Sequence, residues 1–319
     1  MDKLSIVVPC YNEEDSVLVF YSCVSEIIRE SRLAELEIEY IFVDDGSVDT
    51  TLEKMQELAK KDGAVKYVSF SRNFGKEAAL LAGLANSTGD YIVTMDVDLQ
   101  DSPYVLEEMY LSVKNEDFDC VAARREDRKG EGKIRSILSQ GFYWLINQLS
   151  DVEIVSGARD YRFMKRNMVD AILSVKEYNR FSKGIFSWVG FKTKWISYHN
   201  VERTTGETKW SIRKLFSYAI DGIIAYSTKL LSFASALGII FCLISFVSII
   251  FLVVRALLFG DPVAGWPSLM SVIVLLGGLQ LLCIGIVGAY LSRTYLETKE
   301  RPIYIVRKTN VEEQENGKE

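Results

Sequence analysis

Asp96 and Asp98 stand two residues apart in Tyr91-Ile-Val-Thr-Met-Asp-Val-Asp-Leu-Gln-Asp101, directly after an apolar, partly β-branched run. In extended backbone, residues two apart project to one side, so both carboxylates face the same space. Like charges that close repel unless a cation or a proton lies between them. Hard oxygen ligands at a strand end suit Mg²⁺ or Mn²⁺ already carrying a phosphate ligand. The same residues also read as a polar turn with a helix cap, with Pro103 at the first helical position. Three other polar clusters could share in chemistry: Tyr11-Asn-Glu-Glu14, Asp44-Asp-Gly-Ser47 and Ser71-Arg-Asn-Phe-Gly-Lys76. Asp44 and Asp45 can accept hydrogen bonds from a base N–H or a ribose hydroxyl. They can equally shape a helix-entry turn.

The elements that must position these clusters alternate. Leu4 to Val8, Ile38 to Val43, Val65 to Phe70, Tyr91 to Met95 and Asp119 to Ala123 read as short buried strands. Helical patterns run from about Asp15 to Glu30, from an Asp49 or Thr50 cap to about Lys61, and from Lys76 to near Gly89. Such alternation predicts a mostly parallel sheet with helices on both faces. Ligands of such sheets bind beyond the carboxyl ends of the strands, where all four clusters fall. The G-x-G-x-x-G turn and the Walker lysine loop are absent from the sequence.

Beyond the fifth strand, Arg124, Arg125, Arg128, Lys129, Lys133 and Arg135 form a basic run. It reads as a solvated face, or as a mobile loop over an anionic site. Asp160 stands between Arg159 and Arg162, where pairing with an arginine is the simplest role. Trp195 to Tyr198 suggests another strand, with a structural His199 beside it. Arg203 and Lys209 are two spaced cations in a polar stretch ending at Trp210.

Composition narrows the chemistry. The chain has 319 residues, a net charge of −6 and a single histidine. That charge argues against a nucleic-acid surface. One histidine makes a Ser-His-Asp triad improbable and excludes a multi-histidine zinc site. The five cysteines (Cys10, Cys23, Cys120, Cys242, Cys283) show no C-x-x-C spacing and read as buried thiols of a reducing compartment. The opening Met1-Asp2-Lys3-Leu4 is read as the start of a strand rather than of a secretory leader. Chemistry therefore falls to carboxylates, basic groups and a bound cation.

The hydrophobic fraction of 49% is concentrated in the last third. From Ile212 to Ile224, apolar residues recur at three and four, with Arg213, Lys214 and Asp221 off that face, which predicts an interfacial helix. No charge occurs between Lys229 and Arg255, or between Asp261 and Arg293. Each run is long enough for a hydrocarbon core of about 30 Å at about 1.5 Å per residue. Lys209, Arg213, Lys214 and Lys229 precede the first run, and Arg293, Lys299, Arg301, Arg307 and Lys308 follow the second. The connecting loop holds only Arg255, so both ends are expected in the cytoplasm. Arg301 to Arg307 is expected to return to the first domain as a strand, and Asn310 to Glu319 to be a polar, disordered tail.

Taken together, the chain resembles the polyprenyl-phosphate glycosyltransferases of the dolichol-phosphate-mannose-synthase type, and in particular the bacterial bactoprenol (undecaprenyl-phosphate) glucosyltransferase branch. The residues carrying the resemblance are Val8-Pro-Cys-Tyr-Asn-Glu-Glu14, Asp44-Asp-Gly-Ser47, Ser71-Arg-Asn-Phe-Gly-Lys-Glu77, Asp96-Val-Asp-Leu-Gln-Asp101 and Arg203 through Gly206-Glu-Thr-Lys-Trp210. It implies a GT-A domain (α/β, Rossmann-like, mostly parallel) over 1–206, interfacial amphipathic helices over 207–229, a two-helix transmembrane hairpin over 230–292 and a cytoplasmic tail over 293–319.

The resemblance also implies membrane-bound, inverting transfer of one sugar to undecaprenyl phosphate. The donor would be UDP-glucose or UDP-N-acetylglucosamine, with Mg²⁺ or Mn²⁺, at a multi-pass plasma-membrane protein that forms homo-oligomers. Pro9, Tyr11, Glu13, Asp44, Asp45, Lys76, Asp96, Gln100, Arg203 and Lys209 would serve the nucleotide-sugar. Asp96 and Asp98 would hold the metal, and Arg124, Arg135 and Ser139 the lipid phosphate. Asp160 matches the acid often treated as the family's catalytic base, although Arg159 precedes it where many relatives have glycine. A phosphate monoester with a second pKa of roughly 6 needs little deprotonation at neutral pH, so Asp160 is expected to orient more than to remove a proton. Two other readings are a processive polysaccharide synthase, for which the chain lacks a Q-x-x-R-W motif, and a non-catalytic membrane scaffold.

Overall fold

The computed structural model describes residues 1–125, 148, 155, 158–198, 229–259 and 265–311. Strand β1 (Lys3–Cys10) shows why the core has two halves. Leu4, Ile6 and Val8 enter one apolar cluster and Val7 the other, so both faces of the strand are buried. A strand buried on both faces reads as a continuous apolar run. Helices α1 (Ser16–Glu30), α2 (Thr51–Lys61) and α4 (Leu106–Asn115) cover the first face, through Phe20, Met55 and Met109 among others. Helices α3 (Lys76–Ala85), α5 (Arg166–Ser174) and α6 (Ser182–Trp188) cover the second, through Ala79, Val169 and Phe186. Close approach of α3 to β1 requires Gly83: a Cβ there would lie 2.2 Å from Val7 Cγ1.

The other strands are β2 (Glu37–Asp44), β3 (Val65–Phe70), β4 (Tyr91–Thr94), β5 (Cys120–Arg125), β6 (Ala158–Lys165), β7 (Thr193–Tyr198) and β8 (Val306–Thr309). They form one sheet in the order β7-β5-β6-β4-β1-β2-β3-β8. Pairs β1–β2, β1–β4, β2–β3 and β5–β7 are parallel, while β4–β6, β5–β6 and β3–β8 are antiparallel. The mostly parallel α/β sheet expected from the alternation is present. Chain order reverses between β1 and β4, the switch point where a crevice opens in such sheets. Pro103 opens a 3₁₀ turn (Pro103–Val105) that leads into α4, not the α-helix itself.

The opposite rim is closed by a buried carboxylate. Glu39 of β2 is 2% exposed and lies 2.9 Å from Lys66 Nζ and 3.1 Å from Lys3 Nζ. It also accepts hydrogen bonds from the Ser5 hydroxyl and the Thr88 amide. The Gly89 N–H donates to Ser5 Oγ at 2.8 Å, which fixes the entry into β4.

Two long helices follow, α7 (Lys229–Phe259) and α8 (Trp266–Thr298). Within α8, the 24-residue segment Leu275–Thr298 contains an 18-residue stretch of mean hydropathy 1.8 and is long and apolar enough to cross a membrane. The Cys283 thiol lies 3.9 Å from the Ala234 carbonyl, joining the two helices. At the end of α8, Glu297 accepts the Tyr178 N–H at 2.9 Å. The chain then returns to the sheet, as expected, but the strand is Val306–Thr309 rather than Arg301 to Arg307. Strand β8 pairs with β3, Tyr304 stacks on Phe70 at 4.9 Å, and Ser71 N–H donates to Ile305 O at 2.9 Å. The expected interfacial helix, the basic run beyond Arg125, His199, and Arg203 with Lys209 lie outside the described residues, as does most of the expected tail.

Candidate active site

The turn after β1 is laced to the turn after β2. Asn12 adopts a left-handed backbone (φ 54°), which Asn tolerates better than most residues. Its N–H donates to Ser47 Oγ at 3.0 Å, and its side-chain oxygen accepts the Val48 N–H at 3.0 Å. Glu13 N–H donates to Thr51 Oγ1 at 2.8 Å, and the Thr50 hydroxyl donates to Glu14 at 2.6 Å. Gly46 has φ 68°, and a Cβ there would meet the Arg72 carbonyl carbon at 2.3 Å. Only glycine fits this crossing.

The two adjacent aspartates do different jobs. Asp44 is 1% exposed; it accepts the Ser47 N–H at 2.9 Å and the Ser69 hydroxyl at 2.7 Å. It lies beneath the turn as a brace. Asp45 accepts the Phe74 N–H at 2.6 Å and the Gly75 N–H at 2.9 Å, and so shapes the loop that starts α3. Burial pushes the Asp45 carboxyl up, against the pull of those two amides.

Lys76, the first residue of α3, joins what the sequence keeps far apart. Its Nζ lies 2.7 Å from Asp96 Oδ1 and 2.8 Å from Asp160 Oδ2. Asp160 therefore takes a lysine as its ion-pair partner, whereas Arg159 lies 3.7 Å from the buried Asp101. Burial opposes ionisation of Asp160, but Lys76, Lys183 and Arg162 together hold its carboxyl well below the usual range. Arg162 is itself buried under the sheet, with Phe186 at 4.3 Å and Trp195 at 5.2 Å from its guanidinium. Beside it, Glu77 accepts the N–H and hydroxyl of Ser182 and so anchors the start of α6. Burial and the charge of Asp160 push the Glu77 carboxyl up.

Asp98 accepts the Gln100 N–H at 3.2 Å, across Leu99, which has φ 53°. A left-handed branched side chain costs roughly 1–2 kcal/mol, and such strain gathers where a turn must aim functional groups.

A cleft of about 620 Å³ opens over the switch point. Pro9, Tyr11, Glu13, Asp45, Lys76, Asp96 and Asp98, all picked out from the sequence, line it together. Asn73, Gly75 and Cys10 also line it and were not picked out. Asn73 and Gly75 lie inside a noted cluster, but only the Asp45 hydrogen bonds turn that loop into the wall. Burial, then nearby carboxylates, pushes the Cys10 thiol well up, so it stays protonated at neutral pH. Gln100 follows Asp98 in the turn. Arg124 is placed at the end of β5, 3.4 Å from Ser197 Oγ. Arg135 and Ser139 are outside the described residues.

Among the described residues no group of three or more His, Cys, Asp or Glu could cage a metal. Of the carboxylates that line the cleft, Asp96 and Asp98, just beyond β4, form the candidate donor set for an ion. That set fits an ion such as Mg²⁺, which binds through one or two carboxylates plus substrate phosphates rather than an all-protein cage.

The glycosyl transferase family 2 model matches residues 5–173, more than half of the chain. The chain belongs to this family. Curated relatives of this family 2 chain match almost end to end. A protein of Bacillus subtilis (strain 168) named CsbB is 41% identical over 97% of this chain and 92% of its own length. The prophage bactoprenol glucosyl transferase homolog of Escherichia coli (strain K12) is 40% identical over 96% of this chain and 99% of its own. The bactoprenol glucosyl transferase of Shigella phage SfII is 40% identical over 97% and 98%. Among solved structures, mannosyl-3-phosphoglycerate synthase from Rubrobacter xylanophilus is 20% identical, covers 70% of this chain and 73% of its own, and superposes at a TM-score of 0.46, too distant to bear on the site.

Proposed function

We propose that this protein transfers one glucose from UDP-glucose to undecaprenyl phosphate at the cytoplasmic face of a membrane. The observation that carries this reading is the near end-to-end match, helical hairpin included, to proteins named bactoprenol glucosyl transferase. The cleft supplies the chemistry. Tyr11, Glu13 and Asp45 line the side proposed for base and ribose, and Asp96 and Asp98 the side proposed for the diphosphate. A divalent ion bound at Asp96 and Asp98 would neutralise charge building on the leaving nucleoside diphosphate. Lys76, with Arg203 and Lys209 from beyond the described residues, adds positive charge for the same task.

The acceptor is a phosphate monoester whose second pKa is roughly 6, so it attacks the anomeric carbon already ionised at neutral pH. One in-line displacement breaks the sugar–diphosphate bond as the sugar–phosphate bond forms, with inversion. Asp160 orients Lys76 and the basic acceptor side; a carboxyl held so far below the usual range is a poor base. Arg124, Arg135 and Ser139 are proposed to bind the lipid phosphate.

The domain limits 1–206, 207–229, 230–292 and 293–319 belong to this reading. Both α7 and α8 span the bilayer, as their charge-free runs and the cations at either end support, with the catalytic domain in the cytoplasm. Anchoring lets a lipid-borne phosphate reach a soluble donor without leaving the bilayer.

The test is transfer of labelled sugar from UDP-glucose and UDP-N-acetylglucosamine, in parallel, to undecaprenyl phosphate in purified membranes. Each donor is run with Mg²⁺, with EDTA and with Asp98→Asn protein. A mild-acid-labile lipid labelled from UDP-glucose, and lost with EDTA or the substitution, is expected. Label from the other donor alone would replace the sugar. No labelled lipid from either, with folded protein, would overturn the reading.

A further inference from the structure

The Lys76 ammonium sits between a carboxylate proposed to hold the ion and one on the acceptor side, at 2.7 Å and 2.8 Å. Its backbone is not free to drift. Lys76 opens α3, and the preceding Gly75 and Phe74 amides are pinned to Asp45 at 2.9 Å and 2.6 Å. Asp96 is similarly fixed, two residues beyond the end of β4 and one beyond Met95, whose N–H bonds to Val7 O at 3.0 Å. Any divalent ion that takes an Asp96 oxygen must therefore displace this ammonium or accept a like charge within a few ångströms. A nucleoside diphosphate changes that balance. It brings negative charge for the ammonium, which lysine meets as a mobile point charge, and it brings oxygen ligands for the ion.

We propose that Lys76 is an interlock: it keeps divalent ions off Asp96 until a nucleoside diphosphate arrives, so that ion and donor enter the cleft together. This rests on the reading of Asp96 and Asp98 as ion ligands. The interlock makes ion and donor binding mutually dependent, and by linkage the dependence is equal in both directions. It also gives Lys76 a positioning role distinct from stabilising the leaving group.

The experiment is titration of Mn²⁺ into the full chain in detergent, with and without UDP, following the loss of the free-ion signal by electron paramagnetic resonance. The wild-type protein is expected to bind Mn²⁺ at least about tenfold more tightly with UDP than without it. Without UDP, Lys76→Gln and Lys76→Met are each expected to bind Mn²⁺ at least about tenfold more tightly than wild type, and Lys76→Arg to behave as wild type. With UDP, the differences should shrink. Equal or weaker Mn²⁺ binding by both neutral variants without UDP would overturn the interlock while leaving the ion site standing. So would a wild-type affinity indifferent to UDP, which needs no variant to fold. Failure of wild type to bind Mn²⁺ even with UDP, while UDP itself binds, would remove the ion site and the interlock together.

Discussion

Replacing Glu39 by glutamine tests whether the rim opposite the cleft is held by charge. Burial alone would push this carboxyl up, yet hydrogen bonds from Ser5, Lys66 and Thr88 bring it from 4.5 down to about 2. A carboxyl depressed in the folded state stabilises the fold above its unfolded value, and the contribution is lost as pH falls through the folded value. At about 1.4 kcal/mol per pH unit, the depression amounts to at most about 3 kcal/mol at neutral pH. The window of loss runs from about 4.5 down to about 2. By pH ~3 about 1 kcal/mol of it should remain. Glutamine can still accept from Ser5 and Thr88, but it leaves Lys66 facing a neutral group. Thermal melts of the full chain in detergent should place Glu39→Gln about 6–12 °C below wild type at neutral pH, with the gap closing as pH drops toward 3. A gap of the same size at both pH values would refute the argument, since it would trace the loss to packing or hydrogen bonding rather than charge.

Asp160→Asn should cut transfer at every pH from about 6 to 9, because Asp160 stays ionised across that range; recovery of the variant at high pH would instead mark proton removal as its task. Gly46→Ala must hold alanine at φ 68° against the Arg72 carbonyl carbon. Its expected cost exceeds about 2 kcal/mol, read as a lowered melting temperature together with a raised donor KM. Tyr304→Ala removes the ring stacked on Phe70, at an expected cost of about 2 kcal/mol. Proteolysis of the segment after Thr298 should then quicken, and an unchanged cleavage rate would show that β8 is held by backbone pairing alone.

Much of this protein could be read from local pattern. Alternating apolar runs and turn residues placed every strand from β1 to β5, because a strand buried on both faces must be apolar throughout its length. Strand-end chemistry placed the clusters at one edge, because parallel strands present all their carboxyl ends to the same side. The charge-free runs marked the two long helices, since no charged side chain in them has to stay in water. What sequence order could not supply was partnership across distance. Asp160 stands between two arginines along the chain yet pairs with Lys76, because the antiparallel β4–β6 pairing sets it across the cleft from α3. Asp44 and Asp45 are neighbours of one type, but alternation along the backbone sends one beneath the turn and the other to the cleft wall. Residue type and spacing determined which groups could do chemistry; only the crossing of β1, β4, β6 and α3 decided which of them meet, because ion pairs form through space and not along the chain.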